Sequence, residues 1–105
     1  MPAAPIHFFE WPGKPLEVWI DAWPDWDRFD NLVALLTTDY GATVRAAIDG
    51  PDARRWILDI DGAVFELIHD DPWGNYLVAT TAAGEAVIRR VGCDLARRLP
   101  SITSG

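Results

Sequence analysis

The side chains with the widest chemical repertoire cluster late in the chain: Glu66, His69, Asp70 and Asp71, then Trp73 after Pro72. An imidazole beside carboxylates can move protons or hydrogen-bond a cationic ligand. The plainer reading is a strand running into an Asp-Pro turn, whose aspartates cap their own backbone. Glu66 and His69 also have the Glu-x-x-His spacing of helical metal sites. On a strand that spacing sends the two side chains to opposite faces. Asp59-Ile60-Asp61-Gly62 looks like the middle of a calcium loop, but alignment on the glycine puts Ile57 and Ile68 at the first and twelfth positions, where ligands are needed. Two histidines in all, His7 and His69, are too few for an ordinary zinc set. The one thiol, Cys93, has no histidine near it in sequence to act as base, and the isolated glycines offer no phosphate-cradling loop. The sequence thus nominates no catalytic residue, no metal and no cofactor. Its binding candidates are Trp73, Asp70, Asp71, His69 and Glu66.

Tryptophan is over-represented, with six residues in 105. Trp19, Trp26 and Trp56 fall where core or core rim is expected, while Trp11 and Trp23 lie beside prolines in connecting segments. Trp73 is third in the turn Asp71-Pro72-Trp73-Gly74, a position that projects outward. Rings of this kind dominate protein–protein hot spots. A carbohydrate or other small-ligand platform would also use them, but no matching set of amides and acids is evident around them in the sequence.

Charge narrows the partner. Sixteen acids against nine bases give a net charge of −7. Residues 1–75 hold 14 of the acids and 5 of the bases, so most of the molecule presents negative potential. Nucleic-acid binding draws on Lys and Arg contacts to phosphate, and anionic lipid asks for the same sign, so neither partner is expected. An acidic surface suits a basic partner protein. The single cysteine fits a reducing compartment, and the first residues lack the basic and apolar regions of a signal peptide, so a cytoplasmic location is expected.

These residues need elements to hold them. One domain over residues 1–105 is expected, with a Pro-rich arm at 1–15 and a short tail at 100–105. The arm carries Pro2, Pro5, Pro12 and Pro15 and is at best a short edge strand; Ile6, Phe8, Phe9 and Trp11 argue that it packs on the body. Residues 16–20 read as a strand. Pro24, as first helical residue, opens a helix running to Tyr40-Gly41, with Phe29, Leu32, Val33, Leu36 and Tyr40 as its apolar stripe. Residues 42–49 read as a strand. Residues 54–60 and 63–69 form a hairpin about Asp61-Gly62, the dipeptide of the two-residue type I′ turn. Its register puts Trp56, Leu58, Ile60, Ala63, Phe65 and Leu67 on the core face, with Arg55, Ile57, Asp59, Val64, Glu66 and Ile68 opposite. A last strand over 76–81 precedes a helix from Gly84-Glu85 to Leu99, striped by Ile88, Val91, Leu95 and Leu99.

The order predicts an α+β two-layer sandwich: a mainly antiparallel sheet of four or five strands, with two helices on one face. Ile57, Val64 and Ile68 on the far face call for cover, from a second copy in a homodimer or from Ile6, Phe8 and Trp11. The function expected is a non-enzymatic protein-interaction module, inhibitor- or immunity-like or self-associating. The alternative is a small-ligand domain or weak enzyme built on His69, Asp70, Asp71 and Trp73.

Overall fold

The computed structural model describes residues 4–99, so the expected tail at 100–105 lies outside the described residues. Six strands form one antiparallel sheet: β1 (Ile6–Phe9), β2 (Glu17–Ile20), β3 (Thr43–Asp49), β4 (Ala53–Ile60), β5 (Ala63–Asp70) and β6 (Gly74–Val78). Helix α1 (Trp26–Asp39) follows β2 and helix α2 (Ala82–Arg98) follows β6. The spatial order is β1-β2-β6-β5-β4-β3. The α+β class and the helix-covered face are as the sequence predicts. The strand count is higher because Ile6–Phe9 pairs fully with β2, Ile6 opposite Ile20 and Phe9 opposite Glu17. Among the described residues no helix is long and apolar enough to cross a membrane.

The central hairpin keeps the expected register. Ile60 faces Ala63, and Asp61 and Gly62 both take positive φ, 52° and 84°. Leu58, Phe65 and Leu67 are consequently buried in the core with Ile6, Val18, Ile20 and Leu77. Helix α1 closes that core with Phe29, Leu32 and Leu36, and α2 with Val87, Ile88, Val91 and Leu95. Each such side chain stabilises the fold by about 1.5–3 kcal/mol through the apolar surface it removes from water. Helix α2 can lie this close only because of two glycines. A Cβ at Gly84 would stand 2.2 Å from the Val64 carbonyl oxygen, and one at Gly92 would stand 2.7 Å from Val18 and 2.9 Å from Phe8.

The helix starts differ from the sequence reading. Asp25, not Pro24, is the N-cap of α1, and Pro24 stays outside the helix. Helix α2 begins two residues before Gly84, because Thr81 Oγ1 accepts from the Gly84 N–H at 3.1 Å and so caps it. The last strand also runs earlier, over 74–78, which leaves 79–81 for that cap.

One buried charge ties α1 to the sheet. Arg54 is only 7% exposed. Its Nε donates to Asp49 Oδ1 at 2.9 Å and its Nη2 to Asp30 Oδ1 at 3.0 Å. Its guanidinium lies 4.2 Å from the Phe29 ring centre and 5.2 Å from those of Trp26 and Trp56. Burial alone would lower the Arg54 pKa, but the two carboxylates outweigh it and hold the pKa up. The indole of Trp56 and then Arg54 itself hold Asp49 below the usual carboxylate range.

Two substitutions test these points. Gly62→Ala should lower stability by roughly 1 kcal/mol, although a Cβ there meets nothing within 4 Å, because alanine resists the positive φ; the denaturant midpoint reads it, and a wild-type midpoint would count against the turn. Arg54→Ala should cost about 2 kcal/mol or more, from the lost packing, cation–π contacts and charge-assisted hydrogen bonds. Arg54→Lys should recover only part of that loss in the same assay, because one ammonium cannot span both carboxylates as the planar fork does.

Candidate functional site

The sheet's pleat divides the five nominated residues. His69 is 1% exposed and points to the helix side, where its ring meets Trp26 edge-on at 5.2 Å. Asn75 Nδ2 donates to the carbonyls of Trp23 at 2.7 Å and Asp25 at 3.0 Å, so its Oδ1 is left to face His69 Nδ1 at 2.8 Å. That network assigns the proton to Nδ1. The imidazole therefore fastens the entry of α1 to the end of β5, which is a structural role. Its Nε2 has no hydrogen-bond partner, and Asp71 Oδ1 stands 3.5 Å away, beyond good hydrogen-bond distance.

Asp70 and Glu66 lie on the opposite side. Asp70 accepts from the Tyr76 hydroxyl at 3.0 Å, and Glu66 pairs with Arg55 at 3.3 Å. Trp73 is 73% exposed on the β5–β6 turn. With His69 on one face of β5 and Glu66 and Asp70 on the other, the five residues do not converge on one space. Cys93 is exposed. Among the described residues, no three His, Cys, Asp or Glu side chains gather where a metal could be held.

The far face of the sheet has no helix on it. The expected cover by the N-terminal arm is overturned by the topology. The arm is the edge strand β1 beside β2, far from Ile57, Val64 and Ile68 on β4 and β5. Within it, Ile6 is buried in the core and Phe8 packs against Gly92 of α2. Ile57 and Ile68 stay half-buried and Val64 exposed.

The arm instead brings aromatic rings to the other end of the open face. Alternation along β1 and β2 puts His7, Phe9 and Trp19 there together, because His7 faces Trp19 across the pair. Trp19 pairs in turn with Tyr76 on β6, and the two rings stack at 4.3 Å. Phe9 stacks on Trp11 at 5.3 Å and meets Trp19 at 85°. Trp19 is thus half-buried on the open face, not part of the helix-side core. Phe9, Trp11 and Trp19 wall a cleft of about 360 Å³ completed by His7, Glu17 and Asp21. Its size falls at the lower end for small-ligand or side-chain pockets.

The carboxylates that the sequence did not reveal beside these tryptophans are Glu17 and Asp21. Glu17 Oε1 accepts from Trp19 Nε1 at 3.0 Å, and Asp21 pairs with His7 Nδ1. Of the other acids of the face, Asp70 takes only the Tyr76 hydroxyl, while two have arginine partners. Asp59 pairs with Arg45, and Glu66 with Arg55. Negative charge therefore concentrates toward β2 and β6. Burial and then the hydrogen bond to Asp70 push the Tyr76 hydroxyl well above its ordinary pKa, helped by the charges of Asp70, Glu17 and Glu66. Comparison of the chain with protein-family models, with curated proteins and with solved structures finds no match.

The two aromatic surfaces make different demands. Trp73→Ala should leave the thermal midpoint close to wild type, within about 0.5 kcal/mol, since a ring so exposed leaves little cavity. Differential scanning calorimetry of the variant decides it: a loss of about 3 kcal/mol would mean that the ring is packed on the sheet.

Proposed function

We propose that this protein is a non-enzymatic interaction module whose docking surface for a partner protein is the open face of the sheet, with Phe9, Trp11 and Trp19 as anchors. The observation that supports this most is that face itself: a continuous sheet surface without a helix, carrying exposed Phe9, Trp11, Ile48 and Val64. Large exposed apolar patches mark interaction sites, and rigid aromatic rings held by stacking lose little entropy when a partner covers them. The acidic balance of the chain suits a basic partner. A single exposed thiol fits a reducing, cytoplasmic setting.

The alternative of a ligand site or weak enzyme on His69, Asp70, Asp71 and Trp73 draws little from the arrangement. His69 and Asp70 point to opposite faces of β5, Asp71 and Trp73 lie in the turn beyond it, and the imidazole Nδ1 is committed to Asn75. Trp73, exposed on the β5–β6 turn outside the aromatic cleft, serves as the control surface.

The test is recovery of the tagged protein from its native cell, with the bound partner identified and its affinity measured by calorimetry. Trp11→Ala with Phe9→Ala should weaken the identified partner by about 2 kcal/mol, roughly thirtyfold, while Trp73→Ala should not. Equal loss with both variants, or loss with Trp73→Ala alone, would move the docking surface to the β5–β6 turn. Sedimentation of the isolated protein separates a foreign partner from a second copy of this chain.

A further inference from the structure

We infer that the cleft between Phe9, Trp11 and Trp19 receives a cationic side chain, an arginine or lysine presented by the docking partner. This rests on the reading of the open face as a docking surface, and it names the chemistry of the group that enters.

The walls are the first argument. The Phe9–Trp11 stack and the Trp19 ring stand at nearly a right angle, so two aromatic surfaces converge on one space. The negative face of an aromatic ring attracts a cation, and Phe9, Trp11 and Trp19 all border this space, although Phe9 also stacks on His7 and Trp19 on Tyr76. The rim is the second. Glu17 and Asp21 border the same space, and among the described residues neither carboxylate pairs with an arginine or lysine. Glu17 is held in place by the Trp19 indole, so one carboxylate is already positioned at the wall. His7, the one basic group in the cleft, faces Asp21 and can neutralise that acid only when protonated.

The chain already binds a cation in this way elsewhere. Arg54 sits among Phe29, Trp26 and Trp56 and bridges Asp30 and Asp49. The cleft repeats that combination of three aromatic rings and two carboxylates, but on the surface and with no guanidinium of its own in it. Asp70, Glu17 and Glu66 add negative charge on the same face; their charges raise the Tyr76 hydroxyl pKa, after burial and the Asp70 hydrogen bond. An uncharged apolar anchor would desolvate Glu17 and Asp21 without compensation, whereas a cation replaces their lost water. Lys14 lines the adjoining cleft with Trp11, Pro12 and Glu17 and is an in-chain competitor for the same carboxylate.

The probes are three capped peptides of identical length carrying a central arginine, lysine or citrulline. Each is titrated into the full chain while NMR follows the indole N–H signals of Trp11, Trp19 and Trp73. The arginine and lysine peptides should shift Trp11 and Trp19 but not Trp73, and should bind at least fivefold tighter than citrulline, an uncharged near-isostere of arginine. Glu17→Gln should weaken the arginine peptide about fivefold, and added salt should weaken it further. Lys14→Gln should leave its binding unchanged or tighter. Equal binding of arginine and citrulline peptides, or no shift at Trp11 and Trp19 up to tens of millimolar, would overturn the inference. These titrations need no partner protein, so their failure and the failure of the docking-surface reading are separate results. A cation-selective cleft with partner binding insensitive to Phe9 and Trp11 would also overturn the inference, since the side chain would then have no docked partner to present it.

Discussion

Two helices lying side by side span about 20 Å, whereas six strands spaced about 4.8 Å apart make a sheet some 25 Å or more across. The helices therefore cover one face and little more, and much of the molecule follows from that limit. The face toward the helices carries the buried core. The edge strand β3 lies beyond their reach, and every residue in it is exposed except half-buried Ala46. Among the described residues no helix lies over the other face, so its side chains must be polar, paired, stacked on each other, or available to a partner. All four solutions occur. Arg55 and Glu66 pair, Trp19 and Tyr76 stack, Asp70 takes a phenol hydrogen bond, and Trp11 stands nearly half exposed at 48%.

The helix-side layer is not wholly apolar. At the end of the sheet where α1 begins, a guanidinium, an imidazole and an amide replace hydrocarbon. Atoms from other elements hold them: Arg54 is held by Asp30 of α1 and Asp49 of β3, Asn75 by the carbonyls of Trp23 and Asp25, and His69 at Nδ1 alone by Asn75, its Nε2 being left without a partner. Directional bonds of this kind fix the angle at which a helix meets a sheet, which apolar contact alone specifies poorly. Helix α2 adds steric closeness at Gly84 and Gly92 to its own polar ties, Asp94 to Tyr40, Arg98 to Asp39 and Arg89 to Glu10.

Local signals explain what the sequence made legible. The Asp61-Gly62 turn sets a register that propagates to every residue of β4 and β5, so the core face could be read along both strands. The stripes of α1 and α2 were equally plain, since Phe29, Leu32, Leu36, Ile88, Val91 and Leu95 recur at helical spacing. The aromatic cleft was not legible, because it depends on a pairing that no turn dipeptide announces. Prolines at 5, 12 and 15 hid the strand at Ile6–Phe9, and without that strand His7, Phe9 and Trp19 have no common face. His69 misled in the opposite way. Its neighbours in sequence are acids, but strand alternation turns its side chain away from Glu66 and Asp70, and its partner is Asn75 across the β5–β6 turn.

The strand order also sets the sequence in which chain entropy must be given up. From β3 to β6 every neighbour in the sheet is the next strand in the chain, a meander closed by short connections. The β1–β2 pair is likewise local. Only the β2–β6 seam joins distant segments, with Glu17 opposite Val78 and Trp19 opposite Tyr76. Closing a long loop costs more entropy than closing a hairpin, and non-local pairing is the slow part of folding a sheet. The stack of Trp19 on Tyr76 lies across that seam, at the edge of the aromatic cleft. The residues lining the cleft all lie between His7 and Asp21, yet one of its walls, Trp19, gains its stacking partner only when the two halves of the sheet join.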